Sequence, residues 1–243
     1  MKHERNHLNQ LVGYPVTGWS PPLIPGRVTL EGRFCRLEPL DPARHAAQLL
    51  AANNMDVEGK NWTYLPYGPF DTLHEYCAWI EETCCGSDPL FYAIVDSATN
   101  SAAGVASYLR IDPANGSIEV GHINYSSLLQ RTPAGTEAMY LMMEYVFRLG
   151  YRRYEWKCNA LNEASRVAAR RLGFSFEGIF RQAAVIKGRN RDTAWYAVID
   201  EDWPALKEVY LRWLDPSNFD EQGQQRTRLS DLTAPLLQQQ GTV

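Results

Sequence analysis

Residues 117–135 read S-I-E-V-G-H-I-N-Y-S-S-L-L-Q-R-T-P-A-G, and this stretch decides the fold. Its opening residues, 117–125, have the β-branched and aromatic character of a strand, with Ile118, Val120, Ile123 and Tyr125 as apolar members. Residues 130–135 read as a turn. From Thr136 a helical pattern follows, carried by Ala138, Leu141, Met142, Tyr145, Val146 and Leu149 and closed by Gly150. A strand entering a helix through a short loop aims backbone N–H groups and the positive end of the helix dipole at one spot. Such a spot binds anions, most naturally phosphate.

Upstream, residues 90–95 and 103–111 read as strands set apart by S-A-T-N-S and D-P-A-N-G, which gives an antiparallel meander into the 117–125 strand. Further back, the pattern from Arg27 suits a hairpin or bent strand. Asp41 then caps a helix with Pro42 in its first turn. Residues 59–70, G-K-N-W-T-Y-L-P-Y-G-P-F, form an aromatic loop, after which Asp71 or Thr72 opens a helix with Glu75 placed for a capping box. Downstream come a strand at 154–158, a helix at 162–172 and strands at 174–179 and 193–199. The basic segment R-Q-A-A-V-I-K-G-R-N-R-D joins those last two, and a final helix spans 203–214. This order is α+β: a single domain over 26–214 with a mixed, mostly antiparallel sheet flanked by helices. Residues 1–25 read as an irregular extension rich in Pro and Gly, and 215–243 as a polar tail with one short helical turn at most.

Composition narrows the class. The chain has 243 residues, 45% hydrophobic, with a formal net charge of −4, which gives no reason to expect nucleic acid or an anionic membrane as partner. No apolar run approaches the roughly 20 residues of a membrane span. Five cysteines without a C-x-x-C pair suggest neither a disulfide framework nor a metal site. A reduced, cytoplasmic, metal-free protein is expected.

Several motifs recur in a specific order: I-E-V-G-H at 118–122, Q-R-T-P-A-G-T-E-A at 130–138, N-x-x-S-R at 162–166, R-L-G-F at 171–174 and E-G at 177–178. R-D-T at 191–193 and W-T-Y-L-P-Y-G-P-F at 62–70 accompany them. Together they resemble the GCN5-related N-acetyltransferase (GNAT) superfamily, and most of all its branch of Rim-type ribosomal-protein N-acetyltransferases. The resemblance covers roughly 26–214 and implies acetyl-CoA as co-substrate. It places the pantetheine arm along Ile123, Asn124 and Tyr125, and the pyrophosphate over Gln130, Arg131, Thr132, Ala134, Gly135 and Thr136. Asn162, Ser165 and Arg166 meet the coenzyme from the following helix, although Asn162 reads equally as an N-cap. Arg152, Arg153, Lys157, Arg170 and Arg171 add positive charge at the expected coenzyme end. Pro133 departs from the family loop, where a glycine amide is usual.

The resemblance also implies the catalytic groups. Glu119 matches the strand carboxylate used as general base. His122, three residues on, falls on the opposite face by simple alternation unless a bulge breaks the parity. The position of the family's acidic tyrosine is Ala169, so Ser165 is the substitute donor to the leaving thiolate. Cys158 reads as a small buried hydrophobe rather than an acyl-enzyme nucleophile. Trp62, Tyr64, Tyr67 and Phe70 line the acceptor side, or else pack beneath the loop. The expected activity is direct transfer of acetyl from acetyl-CoA to a primary amine, either a protein N-terminus or a small molecule. The alternative is a non-catalytic acyl-CoA-binding or regulatory domain of the same fold, while an ATP site lacks the lysine of G-K-[ST]. The expected partner is the amine acceptor, with a homodimer left open.

Overall fold

The structure is a computed structural model and describes residues 3–238; residues 239–243 of the expected tail lie outside the described residues. A small hairpin pairs β1 (His3–Arg5) with β2 (Leu11–Gly13). Then follow β3 (Leu30–Glu31), β4 (Cys35–Pro39), α1 (Pro42–Asn53), α2 (Leu73–Trp79), β5 (Leu90–Asp96), β6 (Ser101–Asp112) and β7 (Ser117–Tyr125). The second half contains α3 (Pro133–Arg148), β8 (Arg153–Asn159), α4 (Glu163–Arg171), β9 (Ser175–Ile186), β10 (Arg189–Ile199), α5 (Trp203–Leu214) and α6 (Leu229–Thr233). Eight strands form one sheet in the order β3-β4-β5-β6-β7-β8-β10-β9. It is α+β, as the residue pattern suggests.

All neighbours in that sheet run antiparallel except β7 and β8, which α3 joins as a parallel crossover. Their pairing covers Ser117↔Arg153 through Val120↔Trp156 and then stops. Beyond it β7 runs on to Tyr125 and β8 to Asn159 without meeting. The cause lies on the other side of β7. Val105 pairs with Asn124 and Ser107 with Gly121, so Ala106 alone opposes both His122 and Ile123. This is a bulge, and His122 takes φ 51° to make it. The bulge bends β7 away from β8 and leaves a wedge between the two strands.

Two cores cover the sheet. On one face α3 and α5 pack Met142, Met143, Val146 and Tyr210 against Tyr108, Ile118, Val120, Tyr154 and Trp156. On the other, α1 and α2 pack Leu49, Tyr76 and Ile80 against Phe91, Ala93 and Val105. A carboxylate ties α3 to the sheet edge. Buried Glu137 accepts the amides of Arg33, Phe34 and Cys35 at 2.9, 2.6 and 2.9 Å. Residue 32 must be glycine here, because a Cβ would stand 2.5 Å from Glu137 Oε2.

The helix starts follow their expected chemistry. Asp41 accepts from the Arg44 amide, and Thr72 and Glu75 complete a capping box. Elsewhere the structure differs from the expectation. α3 begins at Pro133 with Thr132 as N-cap, so Ala134 and Gly135 lie in the helix and not in a turn. Most of the basic segment expected as a connection is strand: β9 and β10 meet at Lys187 and Gly188, with φ 49° and 73°. The N-terminal extension contains the β1–β2 hairpin. The tail is anchored by buried Leu229 and by Asn218, which donates to Trp213 O. No helix among the described residues is long and apolar enough to cross a membrane.

Because three amides converge on one buried carboxylate, Glu137→Gln should cost about 2 kcal/mol. Urea unfolding should show a lower midpoint with an unchanged slope.

Candidate active site

Glu119 and Gly121 share the sheet face covered by α1 and α2, since their neighbours Ile118 and Val120 enter the α3 core. Strict alternation would send His122 to the α3 side. The bulge returns it to the face of Glu119, where its ring lies 4.9 Å from Phe91 and stacks on Tyr67 at 5.6 Å. His122 Nδ1 is 3.2 Å from the Tyr67 hydroxyl. Burial, with Arg110 adding to it, lowers the His122 pKa from 6.5 to about 4, so the imidazole is neutral near pH 7.

Glu119 is not a lone carboxylate. Its side chain is 4% exposed and holds Arg110 at 2.8 Å and Lys157 at 2.9 Å. Lys157 also reaches Glu155 at 2.6 Å and lies 4.0 Å from the centre of the Trp195 ring. Arg153 continues the chain to Glu155 and Glu177. Lys157 and Arg153 therefore serve this network and not the coenzyme end, where the sequence reading puts them; Arg152 lies over Trp19.

The aromatic loop roofs the wedge. Asn61 Nδ2 and Gln130 Nε2 both donate to Tyr125 O, at 3.2 and 2.7 Å. Tyr64 donates to Leu161 O at 3.1 Å, which ties the loop to the β8–α4 connection. Lys187, at the hairpin tip, donates to the carbonyls of Trp62, Tyr67 and Gly68 at 3.1, 3.3 and 3.1 Å. Of the expected acceptor-side aromatics, Tyr67 meets His122 and Tyr64 fastens the roof. Trp62 is buried edge-on to Tyr67 and Phe70, and Phe70 packs on Tyr76 and Trp79, so these two act as packing.

At the α3 terminus, Thr132 Oγ1 donates to Leu129 O at 2.7 Å and accepts the Gly135 amide at 3.1 Å. The Thr132 amide turns back to Leu129 O at 3.4 Å. The amides of Arg131 and Ala134 carry no such bond among the described residues. A Cβ on Gly135 would meet Leu129 O at 2.6 Å, so its close approach is to its own chain. Thr136 Oγ1 receives both terminal nitrogens of Arg171 at 3.2 Å. Asn162 caps α4 through the Ser165 amide at 3.1 Å, and Ser165 Oγ accepts Trp156 Nε1 at 3.0 Å. Arg166 holds Tyr196 Oη and Ala160 O. Ile123 and Tyr125 pack toward the α3 core, while the buried Asn124 Oδ1 finds no partner. Cys158 is buried, which raises its thiol pKa. Among the described residues no group of three or more His, Cys, Asp or Glu is placed to hold a metal.

The wedge between the parallel strands thus lies beside the start of α3, with Glu119 and His122 on one side of it. Residues 35–175 match the family model of the acetyltransferase (GNAT) domain. The chain is 48% identical to a GCN5-related N-acetyltransferase from Brucella melitensis, with a TM-score of 0.88 over 90% of this chain and 100% of that one. A GNAT-family protein of Chromobacterium violaceum is 39% identical, with a TM-score of 0.75 over 80% of this chain and 97% of that one. The microcin C7 self immunity acetyltransferase MccE, solved in complex with acetyl-CoA and AMP, shares the fold. Its identity is 21% and its TM-score 0.61, over 69% of this chain and 93% of that one. No curated protein matches the chain. The chain belongs to the GNAT acetyltransferase family.

The sequence reading gave no site role to Arg110, Asn61 or Lys187, and took Arg191 only as part of the R-D-T motif. A charge inside a strand pattern does not reveal which face it joins until the bulge is placed. The neutral His122 leads to a pH test. Between about pH 4 and its ordinary 6.5 the unfolded chain binds a proton that the folded chain refuses. Stability should therefore fall as pH drops through that window. His122→Asn, which tolerates a positive φ, should flatten the slope when urea midpoints are compared across it.

Proposed function

We propose that this enzyme transfers acetyl directly from acetyl-CoA to a primary amine. The observation that carries the reading is the roofed wedge between β7 and β8, with His122 and Glu119 on one side of it. The residues present fit the coenzyme. Asn124, just past the bulge, offers a buried acceptor without a partner among the described residues, and the Arg131 and Ala134 amides remain for phosphate at the start of α3. The pyrophosphate then depends on fewer amides than the loop sequence promised, with Pro133 giving none and two others committed internally. Bound acetyl-CoA supplies an activated carbonyl and a thiolate leaving group.

The chain's own groups divide the remaining work. Glu119, held between Arg110 and Lys157, has its charge already answered and serves to fix those two cations beside His122. His122 carries no charge, and its second ring nitrogen has no partner among the described residues. It receives the proton from the amine nitrogen that has attacked the carbonyl, a nitrogen far more acidic than a free ammonium. Ser165 accepts from Trp156 and directs its hydroxyl at the Cys158 sulfur; turned to the leaving thiolate it stabilises the charge as a hydrogen-bond donor, and the thiolate takes its proton from solvent. Ala169 is fully buried, and a tyrosine acid has no place there. The protonated Cys158 thiol leaves no thiolate for an acyl-enzyme. A protein N-terminus, as in the Rim-type branch, and a small amine are both acceptors of this chemistry.

The test is thiol release from acetyl-CoA across N-terminal peptides, polyamines and amino acids. His122→Asn should lower kcat about 100-fold while the coenzyme Kd, from calorimetry, stays unchanged. Full turnover in that variant would remove His122 as proton acceptor. Cys158→Ala should keep turnover, and mass spectrometry should find no acetylated enzyme during it.

A further inference from the structure

Arg191 is the charge that acetyl transfer leaves unused. On β10, Ala194, Tyr196 and Val198 enter the α3 core. Thr193 and Trp195 therefore belong to the opposite face, with Lys157 beside Trp195 in the strand register, and Arg191 precedes them on β10 at a register shift in its pairing with β9. This is the face of Glu119 and His122. The carboxylates there are already taken: Glu119 by Arg110 and Lys157, Glu155 by Lys157 and Arg153, and Glu177 by Arg153.

Arg191 has no carboxylate within ion-pair distance among the described residues, and its Nε is buried without a hydrogen bond. The Trp195 indole N–H is buried and equally unmatched. Burial lowers the Arg191 pKa and Arg110 adds to it, while Cys158 and Glu119 oppose the shift. A guanidinium held beside the reaction centre at such a disadvantage, with a second unmatched donor on the same strand, is a receptor for an oxyanion. Native proteins leave few buried donors unmatched, and the planar fork suits carboxylate and phosphate alike.

We propose that the acceptor amine carries an oxyanion, carboxylate or phosphate, that Arg191 binds on the β10 side of the wedge. The assignment rests on the acetyl-transfer reading for its place in catalysis but not for its binding. Arg191 is a specificity residue and moves no proton.

The experiment uses matched amines: glycine against glycinamide, and O-phosphoethanolamine against ethanolamine. Binding is read as a thermal shift in the presence of coenzyme A, and turnover as thiol release. The charged member of at least one pair should bind and react better, and which pair responds separates carboxylate from phosphate. Arg191→Gln should raise KM for that amine roughly tenfold or more, with little change in kcat, in coenzyme affinity or in KM for its neutral twin. Arg191→Lys should recover part of the loss. Charged amines that bind through Arg191 without being acetylated would leave this assignment standing and sink acetyl transfer to them. Equal binding of charged and neutral members by the wild-type protein would overturn it, whatever the variants do. So would a preference for uncharged peptides that Arg191→Gln leaves intact.

Discussion

The structure depends on a row of backbone hydrogen bonds that stops early. β7 and β8 pair for only a few residues, and then the bulge at His122 and Ile123 turns β7 away. Everything chemical follows from that break. It opens backbone groups that a continuous sheet would have paired and reverses the facing of His122. An unbroken parallel pair would bury the same residues as an ordinary core.

The surrounding network keeps the opening from collapsing. Glu137 fixes α3 against the β3–β4 edge, so the helix N-terminus is held independently of the wedge. Glu119 and Lys157 join β7 to β8 through charge at the last paired residues, beside the point where the backbone ladder stops. Such a pair is costly to bury unless its other valences are met, and Arg110 and Glu155 meet them.

Much of this was legible in the residues, for identifiable reasons. β7 and α5 fall where the pattern places them, because alternation and a Trp-Pro helix start are local signals. Family motifs carried the fold. Reading failed where a residue's meaning depends on distant partners. Pro133 looks like a turn and is the first residue of a helix. The segment from Arg181 looks like a basic loop and is a strand hairpin, because its polar side chains face outward on the sheet's edge. For Trp62 and Phe70 the residues left a binding surface and packing beneath the loop equally open, and the two rings pack on each other, with Phe70 also on Tyr76 and Trp79. Glu119 stood out, but its two cations come from other strands and left no trace beside it.

The roof has a consequence for how the molecule comes into being. Lys187 reaches carbonyls that lie 119 to 125 residues away along the chain. Contacts across such spans form only after nearer ones have shortened the chain between them. The sheet and α3 can therefore be complete before the hairpin tip meets the aromatic loop. Closure over the acceptor side becomes the finishing act of folding, performed on a scaffold already rigid. A latch made late, through one ammonium and three neutral carbonyls, can also yield without disturbing what was built first.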